Sequence, residues 1–388
     1  MSLISTYHDG QEFALIEGGS NYFTLYGELI DQARHTIFIS TYIFSSDNTG
    51  IAISNKLIAA AKRKVSVFVL VDGFASNLKT EIIQELQSKG IQFNLFAPLS
   101  SRTKYLGRRM HEKVLVTDNR LALIGGMNID DKYNDQGNSK AWLDFAILLK
   151  GDVVIDVFYH CINLWNIKDI SSLIANHQKN EDYNFKYGKR FFGKVRIRIN
   201  DWIRHKNEIS TTYIQMLYNA TKSITILCSY FLPGHVIRRL LSHAAKRGIT
   251  IKIIIAGQSD VLIAKMAEKW LYDWLLRQQI EIYEYQRNIL HGKLAIIDQN
   301  HLTLGSYNIN DISAYACMEL NAEIISSEFA CMAEEKLEEI IRKDCKQVTF
   351  ATHVKTKYPL KQILRWLSYR VIRIIFHLFT FYFKRNTH

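Results

Sequence analysis

Residues 111–128 read HEKVLVTDNRLALIGGMN, and residues 291–308 read HGKLAIIDQNHLTLGSYN. His111, Lys113, Asp118, Gly125 and Asn128 of the first stretch recur as His291, Lys293, Asp298, Gly305 and Asn308 of the second, each displaced by 180 positions. One such pattern is already rare by chance; two at identical offsets are a duplication. The likeness extends outward. Ala60-Ala61-Lys62-Arg63, with a β-branched run ending at Gly73, is echoed by Ala244-Ala245-Lys246-Arg247 and a run ending at Gly257. A repeat of this length is too long for a solenoid unit and is about the size of one domain. The chain is therefore expected to form two homologous α/β halves related by a pseudo-twofold axis, with an active site between them. The expected boundaries are 1–165 for the first half, 166–206 for a connection, 207–350 for the second half and 351–388 for a tail.

Each half reads as alternating strands and helices. The first offers strands at 36–43, 65–71 and 91–96 with helices at 51–63 and 80–89. The second repeats the order with strands at 224–228, 249–255 and 280–285 and helices at 236–247 and 261–278. Continuous β-branched runs predict largely parallel sheets with helices on both faces. A basic loop containing Arg102, Lys104, Arg108 and Arg109 leads into the first motif. The basic stretch from Lys186 to Lys206 reads as solvated linker.

In a strand, residues two apart share a face, so His111 and Lys113 are expected to point one way and Glu112 the other. His291 and Lys293 repeat this around Gly292. Residues 111 and 128 are equidistant from Asn119-Arg120, as 291 and 308 are from Gln299-Asn300. Hairpins turning there would set His opposite Asn across the ladder. Imidazole, ammonium and carboxamide together suit a phosphodiester: lysine offers charge to the non-bridging oxygens, asparagine a hydrogen bond, and a neutral histidine can attack phosphorus. Exchange at phosphorus also needs an acid for the leaving alcohol, and the second copy would supply that imidazole. Neither a metal nor a cofactor is called for, since two lysines can perform the charge stabilisation. A nucleophilic histidine needs its second nitrogen held by an acceptor. Asp144 and Glu319, which follow the two motifs, are nominated for that task. Asp118 and Asp298 are grouped with the catalytic residues, although a turn role is equally open to them.

At 388 residues and 48% hydrophobic, with three prolines, the chain can bury two cores. Five dispersed cysteines without a Cys-x-x-Cys pair favour reduced thiols. Residues 351–388 contain eight Lys/Arg and no Asp/Glu, which accounts for +8 of the formal +12 and weakens any inference of nucleic-acid binding from charge. On a helical wheel from 360 to 383, Lys361, Arg365, Arg370, Arg373 and His377 fall on one half, and Leu360, Ile363, Leu364, Leu367, Ile374, Leu378 and Phe381 on the other. Arg370, Arg373 and His377 interrupt the only candidate span, so the pattern is interfacial. Segment 355–388 is expected to bind an anionic membrane surface; a core-packed helix is the other reading.

The duplicated His-x-Lys-x4-Asp-x6-Gly-(Gly/Ser)-x-Asn pattern resembles that of the phospholipase D superfamily. Arg108-Arg109-Met110-His111, Ile124-Gly125-Gly126-Met127-Asn128, Tyr230-Phe231-Leu232-Pro233-Gly234 and Leu290-His291-Gly292-Lys293 resemble its bacterial cardiolipin synthases of the type lacking N-terminal membrane spans. The resemblance implies two phospholipase D-like α/β/α halves and a covalent phosphatidyl-histidine intermediate, with His111 as nucleophile and His291 as general acid/base. It implies phospholipid substrates, typically phosphatidylglycerol, converted to cardiolipin with release of a small alcohol; the cysteines and the basic tail together set the expected location at the cytoplasmic face of the membrane. Two alternatives remain at this stage: a phosphodiesterase that hydrolyses phospholipid or nucleic acid, and an idle membrane-binding protein. Oligomeric state is not readable from these residues.

Overall fold

The computed structural model describes residues 6–98, 108–137, 139–169, 173, 188–354 and 358–384, with side chains as far as His377. The chain divides into two compact units, Met1–Ile197 with Leu320–Ala322, and Arg198–Glu319 with Glu323–His388.

The first unit contains β1 (His8–Glu17), α1 (Ser20–Gln32), β2 (Thr36–Thr41), α2 (Asn48–Lys62), β3 (Ser66–Asp72), α3 (Thr80–Ser88), β4 (Gln92–Phe96), β5 (Arg109–Met110), β6 (Val114–Thr117), β7 (Leu121–Gly125), β8 (Phe145–Lys150), α4 (Val153–Trp165) and the start of β9 (Phe191–Asp201). Strands β4, β3 and β2 run parallel, and β6, β7, β8 and β1 continue the sheet antiparallel. The expectation of largely parallel sheets is corrected here. The strands on either side of the motif are joined by a tight turn, and a tight turn can only reverse direction. Ile37, Ile39, Val67, Val69 and Leu115 of the sheet pack with Leu25, Leu29, Ile53 and Leu57 of α1 and α2 in one core. On the opposite face Phe38 stacks on Phe68 at 4.5 Å and meets Phe158 of α4 edge-on at 5.6 Å. Asp47 caps α2 by accepting from Gly50 N at 2.9 Å.

The second unit contains the end of β9, β10 (Lys206–Asn207), α5 (Glu208–Asn219), β11 (Ser223–Cys228), α6 (His235–Lys246), β12 (Thr250–Gln258), α7 (Leu262–Trp270), α8 (Tyr272–Arg277), β13 (Glu281–Ile289), β14 (Lys293–Ile297), β15 (His301–Gly305), α9 (Asp311–Tyr315), β16 (Cys317–Ile325), α10 (Ser327–Asp344), β17 (Cys345–Val348), α11 (Phe350–Val354) and α12 (Pro359–Lys384). Here β13, β12 and β11 are parallel, β14 and β15 continue antiparallel, and β17 closes the other edge antiparallel to β13. The single helix expected over 261–278 is two, α7 and α8, meeting at Leu271.

The stretch read as solvated linker contains β9. Its sequence KVRIRIND alternates as a strand does, with Val195 and Ile197 buried; Arg198 and Asn200 are buried as well, Arg198 meeting Glu323 at 3.3 Å and the Thr212 hydroxyl at 3.0 Å. Arg102 and Lys104 of the expected basic loop, residues 170–172 and 174–187 of the expected connection, and residues 355–357 and 385–388 of the tail lie outside the described residues.

The tail differs from its wheel. Arg365 is buried, and Tyr369, Ile372, Arg373 and Phe376 turn toward the second unit. Ile372 and Phe376 pack with Leu232, Ala267 and Leu271, Arg373 approaches Asp311 at 3.4 Å, and Arg238 donates to the Tyr369 hydroxyl at 3.4 Å. The face assigned to headgroups is thus partly the docked face. A cation whose stem packs on protein can be held there by an acidic or aromatic neighbour, which a wheel drawn from charge alone does not register. Among the described residues no helix is long and apolar enough to cross a membrane.

Candidate active site

Strand order places the motif side chains. Ser40 of β2 pairs with Val114, Val114 with Ile124, and Gly125 with Ala146. His111, Lys113, Gly126, Asn128 and Asp144 therefore gather with Tyr42 at one sheet edge, beyond the carboxyl end of β2. That is where open α/β sheets place their ligands. His111 and Lys113 precede β6 rather than lying within a strand. Lys113 is buried, its Nζ donating to the His111 carbonyl at 2.5 Å and lying 5.2 Å from the Tyr42 ring centre. The Tyr42 ring meets the His111 imidazole edge-on at 4.9 Å.

The expected facing of His and Asn across the ladder is corrected. Pairing of Val114 with Ile124 and of Leu294 with Leu304 centres the hairpins on Asn119 and Gln299, one half-step from the expected register. The turns account for the shift. Asp118, Asn119, Asp298 and Gln299 all have left-handed backbone, with φ of 51°, 55°, 54° and 51°. Asn128 instead accepts from Ile43 N at 3.1 Å and donates to the Tyr133 hydroxyl at 2.9 Å, which ties the segment after β2 to the segment after β7.

Asp118 and Asp298 are also placed differently from their grouping with the catalytic residues. Asp118 accepts from the backbone N–H of Arg34, His35 and Thr36 at 2.7–2.8 Å, at the entry to β2. It stands at the far end of β6 from His111, roughly 15 Å of strand away. Asp298 accepts from Thr221, Lys222 and Ser223 N–H and from the Thr221 hydroxyl. These carboxylates fasten the parallel strand to the hairpin. Burial works to raise the Asp298 pKa, but the hydrogen bonds together outweigh it and hold the carboxyl below its usual range. A folded-state pKa below the unfolded one contributes stability above the unfolded value, about 4, and that contribution is lost as pH falls through the folded value. Asp298→Asn should therefore lower the melting temperature at pH 7 and flatten its decline between about pH 5 and 2. Parallel acid-side profiles for variant and wild type would refute this role.

The second half-site repeats the plan with different neighbours. His291 and Lys293 are buried, and Lys293 Nζ lies 3.0 Å from His291 Nδ1 and 3.2 Å from Nε2 while donating to the His291 carbonyl. Asn308 accepts from Ser229 Oγ at 2.8 Å. Ser229 occupies the place that Tyr42 holds in the first unit, so where the Tyr42 ring meets His111 the second unit has a serine hydroxyl bonded to Asn308.

The two nominated carboxylates also differ. Asp144 is buried against Gly126, where an added Cβ would stand 2.5 Å from its Oδ2, and it accepts from Phe145 N at 2.7 Å. Glu319 accepts from Ser306 Oγ at 2.5 Å. A glycine clears space for the shorter carboxylate, and a serine hydroxyl engages the longer one. Gly126→Ala should displace Asp144 and slow turnover by about tenfold or more, as expected for misplacement near 1 Å. Unchanged kcat in a folded Gly126→Ala protein would show that the Asp144 position is unimportant.

Two supports escaped the sequence reading. Asp72, buried at the end of β3, accepts from Phe74, Ala75 and Met110 N–H and meets Arg109 at 3.4 Å, which shapes the approach to His111. Glu112, buried between His111 and Lys113, bonds His160 of α4 at 2.7 Å. A carboxylate inside the motif was the available signal.

Two copies of a His–Lys pair with a buried lysine at the edge of an α/β sheet define a phospholipase D-like protein. Residues 26–142 and 213–341 match the family described as cardiolipin synthase, PLD-like domain. Cardiolipin synthase B of Shigella flexneri is 32% identical over 349 residues, covering 88% of this chain and 83% of that protein. Among solved structures, phosphatidylserine synthase of Haemophilus influenzae Rd KW20 has a TM-score of 0.73 at 16% identity and covers 97% of each chain. Polyphosphate kinase of Porphyromonas gingivalis has a TM-score of 0.61 at 14% identity, covering 94% of this chain and 53% of that one. The chain belongs to the cardiolipin synthase family of phospholipase D-like proteins. It is a phospholipid phosphatidyltransferase with two phospholipase D-like halves.

Proposed function

We propose that this enzyme makes cardiolipin from phosphatidylglycerol, or a related phospholipid pair, through a phosphatidyl-histidine intermediate. The observation that carries the reading is the duplication itself: each unit brings one imidazole, one buried lysine and one hydrogen-bonded asparagine to a sheet edge, and displacement at phosphorus with retention of a diester needs two proton-transfer partners. His111 attacks the donor phosphorus, and the P–O bond to glycerol breaks. His291 gives the departing oxygen its proton. The hydroxyl of a second phosphatidylglycerol then returns a proton to His291 and attacks the phosphoramidate, which releases His111 and leaves cardiolipin. Lys113 and Lys293 neutralise the non-bridging oxygens, and Asp144 and Glu319 orient the imidazoles.

The substrate lies in a membrane, and the cationic segment 355–388 supports peripheral attachment to an anionic surface. Five dispersed cysteines without a Cys-x-x-Cys pair, three of them buried, support a reducing, cytoplasmic side. The test is to incubate purified protein with labelled phosphatidylglycerol in vesicles and analyse the lipids. Cardiolipin with equimolar glycerol is expected. Phosphatidic acid alone would make the enzyme a hydrolase, and an unchanged lipid pool would overturn the reading.

A further inference from the structure

The second unit presents a large apolar surface built from two helices that pack on each other. Of the exposed residues of α12 up to His377, seven are apolar: Leu360, Ile363, Leu364, Trp366, Leu367, Val371 and Ile374. At about 100° per residue, six of these lie within an arc of roughly 100° centred opposite the docked residues Arg365, Tyr369, Ile372 and Phe376. The cations fall at the margins. Lys361 borders one side, and Arg370 and His377 border the other with Trp366, whose ring carries the Arg370 guanidinium at 5.6 Å. This is not the arrangement of a helix awaiting burial in its own protein, because its protein-facing side is already occupied. An apolar crest with tryptophan and arginine at its shoulder suits a helix lying at the boundary between headgroups and acyl chains.

The neighbouring helix extends the surface. Val261, Leu262 and Ile263 are exposed at the start of α7, Leu262 by 77%, and Trp270 is exposed at its end. On the α7 wheel, Leu262, Ile263 and Trp270 occupy an arc that adjoins Ala267, and with Leu271 just beyond the helix Ala267 packs against Ile372 and Phe376 of α12. Folded monomers rarely expose apolar side chains contiguously over such an extent.

We propose that α7 and α12 together form a single membrane-inserting face, with Leu262 and Ile263 as a second anchor beside the α12 crest. The occupant is a phospholipid bilayer: the segment bearing the crest has no acid and, besides the buried Arg365 and the Arg373 that meets Asp311, six further cations to match an anionic headgroup layer, and the crest itself matches the acyl region below it. The inference rests on the lipid substrate proposed above and extends it to an element that sequence alone left as an ordinary helix. It also fixes the kind of binding. Charge brings the protein to the surface, but affinity resides in inserted leucine and isoleucine side chains and should survive salt.

The experiment uses the full chain and vesicles of phosphatidylglycerol and phosphatidylcholine. Leu364→Asp/Leu367→Asp and, separately, Leu262→Asp/Ile263→Asp should each weaken vesicle partitioning about a hundredfold, whereas 0.5 M salt should weaken wild-type partitioning less than tenfold. Both variants should retain wild-type melting and turnover of short-chain phospholipid in detergent, since none of the four residues belongs to the half-sites. Unchanged partitioning of either variant would overturn the two-helix face. So would a wild-type dimer in solution that the variants convert to monomer without altered lipid binding, because the face would then join two copies of the chain. If wild type binds vesicles as described but forms no cardiolipin, the enzymatic proposal fails and the inserting face stands.

Discussion

His111→Ala should lower turnover by about 100- to 10,000-fold, the range expected for losing one group that acts directly in proton or phosphoryl transfer. It should also abolish covalent trapping of the phosphatidyl group. The expectation rests on position: His111 stands before β6 beside a buried lysine, with its imidazole held edge-on by Tyr42. His291→Ala should be comparably slow with phosphatidylglycerol, yet with an activated leaving group it should still accumulate intermediate, because such a group departs without an acid. Acid-labile label on His111 in that variant is the expected result from quench and peptide mapping. Label on His291 in the wild type would reverse the two roles, and equal trapping in both single variants would dismiss the division of labour.

Ending the chain at His353 should do more than weaken membrane binding. The truncation removes Ile372 and Phe376 and uncovers Leu232, Ala267 and Leu271, and it leaves Asp311 without Arg373. Core truncations of this kind typically cost about 2–5 kcal/mol for each large side chain, so the melting temperature should fall by about 10 °C or more. Turnover of detergent-dispersed short-chain phospholipid should fall as well. Leu232 lies three residues beyond Ser229, which bonds Asn308, and Asp311 lies three residues beyond Asn308 itself, so both segments framing the second half-site lean on the tail. From charge and periodicity the tail reads as a detachable anchor that carries none of the chemistry. The docked face makes it a brace on one side and an anchor on the other. Phe376→Ala in the full chain separates the two: it should lower melting temperature and turnover while leaving vesicle binding near wild type. A truncated protein that melts and turns over like the full chain would refute the brace.

The repeat in 111–128 and 291–308, with the β-branched runs around it, was enough to identify two α/β halves, the paired His, Lys and Asn, and the superfamily. This information is local: identical offsets survive in the chain itself, and strand and helix periods are visible within a dozen residues. What remained hidden depends on residues distant in sequence. The half-step in hairpin register arose from consecutive left-handed residues at Asp118-Asn119 and Asp298-Gln299, and those aspartates bind backbone about 80 positions away. A motif lists them beside the catalytic histidine although the strand carries them to its opposite end. Tyr42 and Ser229, which make the surroundings of the two imidazoles unlike, directly follow β2 and β11, 60 or more positions before the motifs. The orientation of α12 was likewise a tertiary decision: a helical wheel ranks side chains by hydrophobicity, whereas burial of Arg365 and exposure of Leu360 follow from which neighbours each meets. Sequence by itself determined the class of chemistry and the pair of folds that carry it, because both are written in short-range pattern. Only the tertiary structure decided which charges act on substrate, which fasten strands, and which face of the tail is left for lipid, because those outcomes are set by partners the chain brings together only on folding.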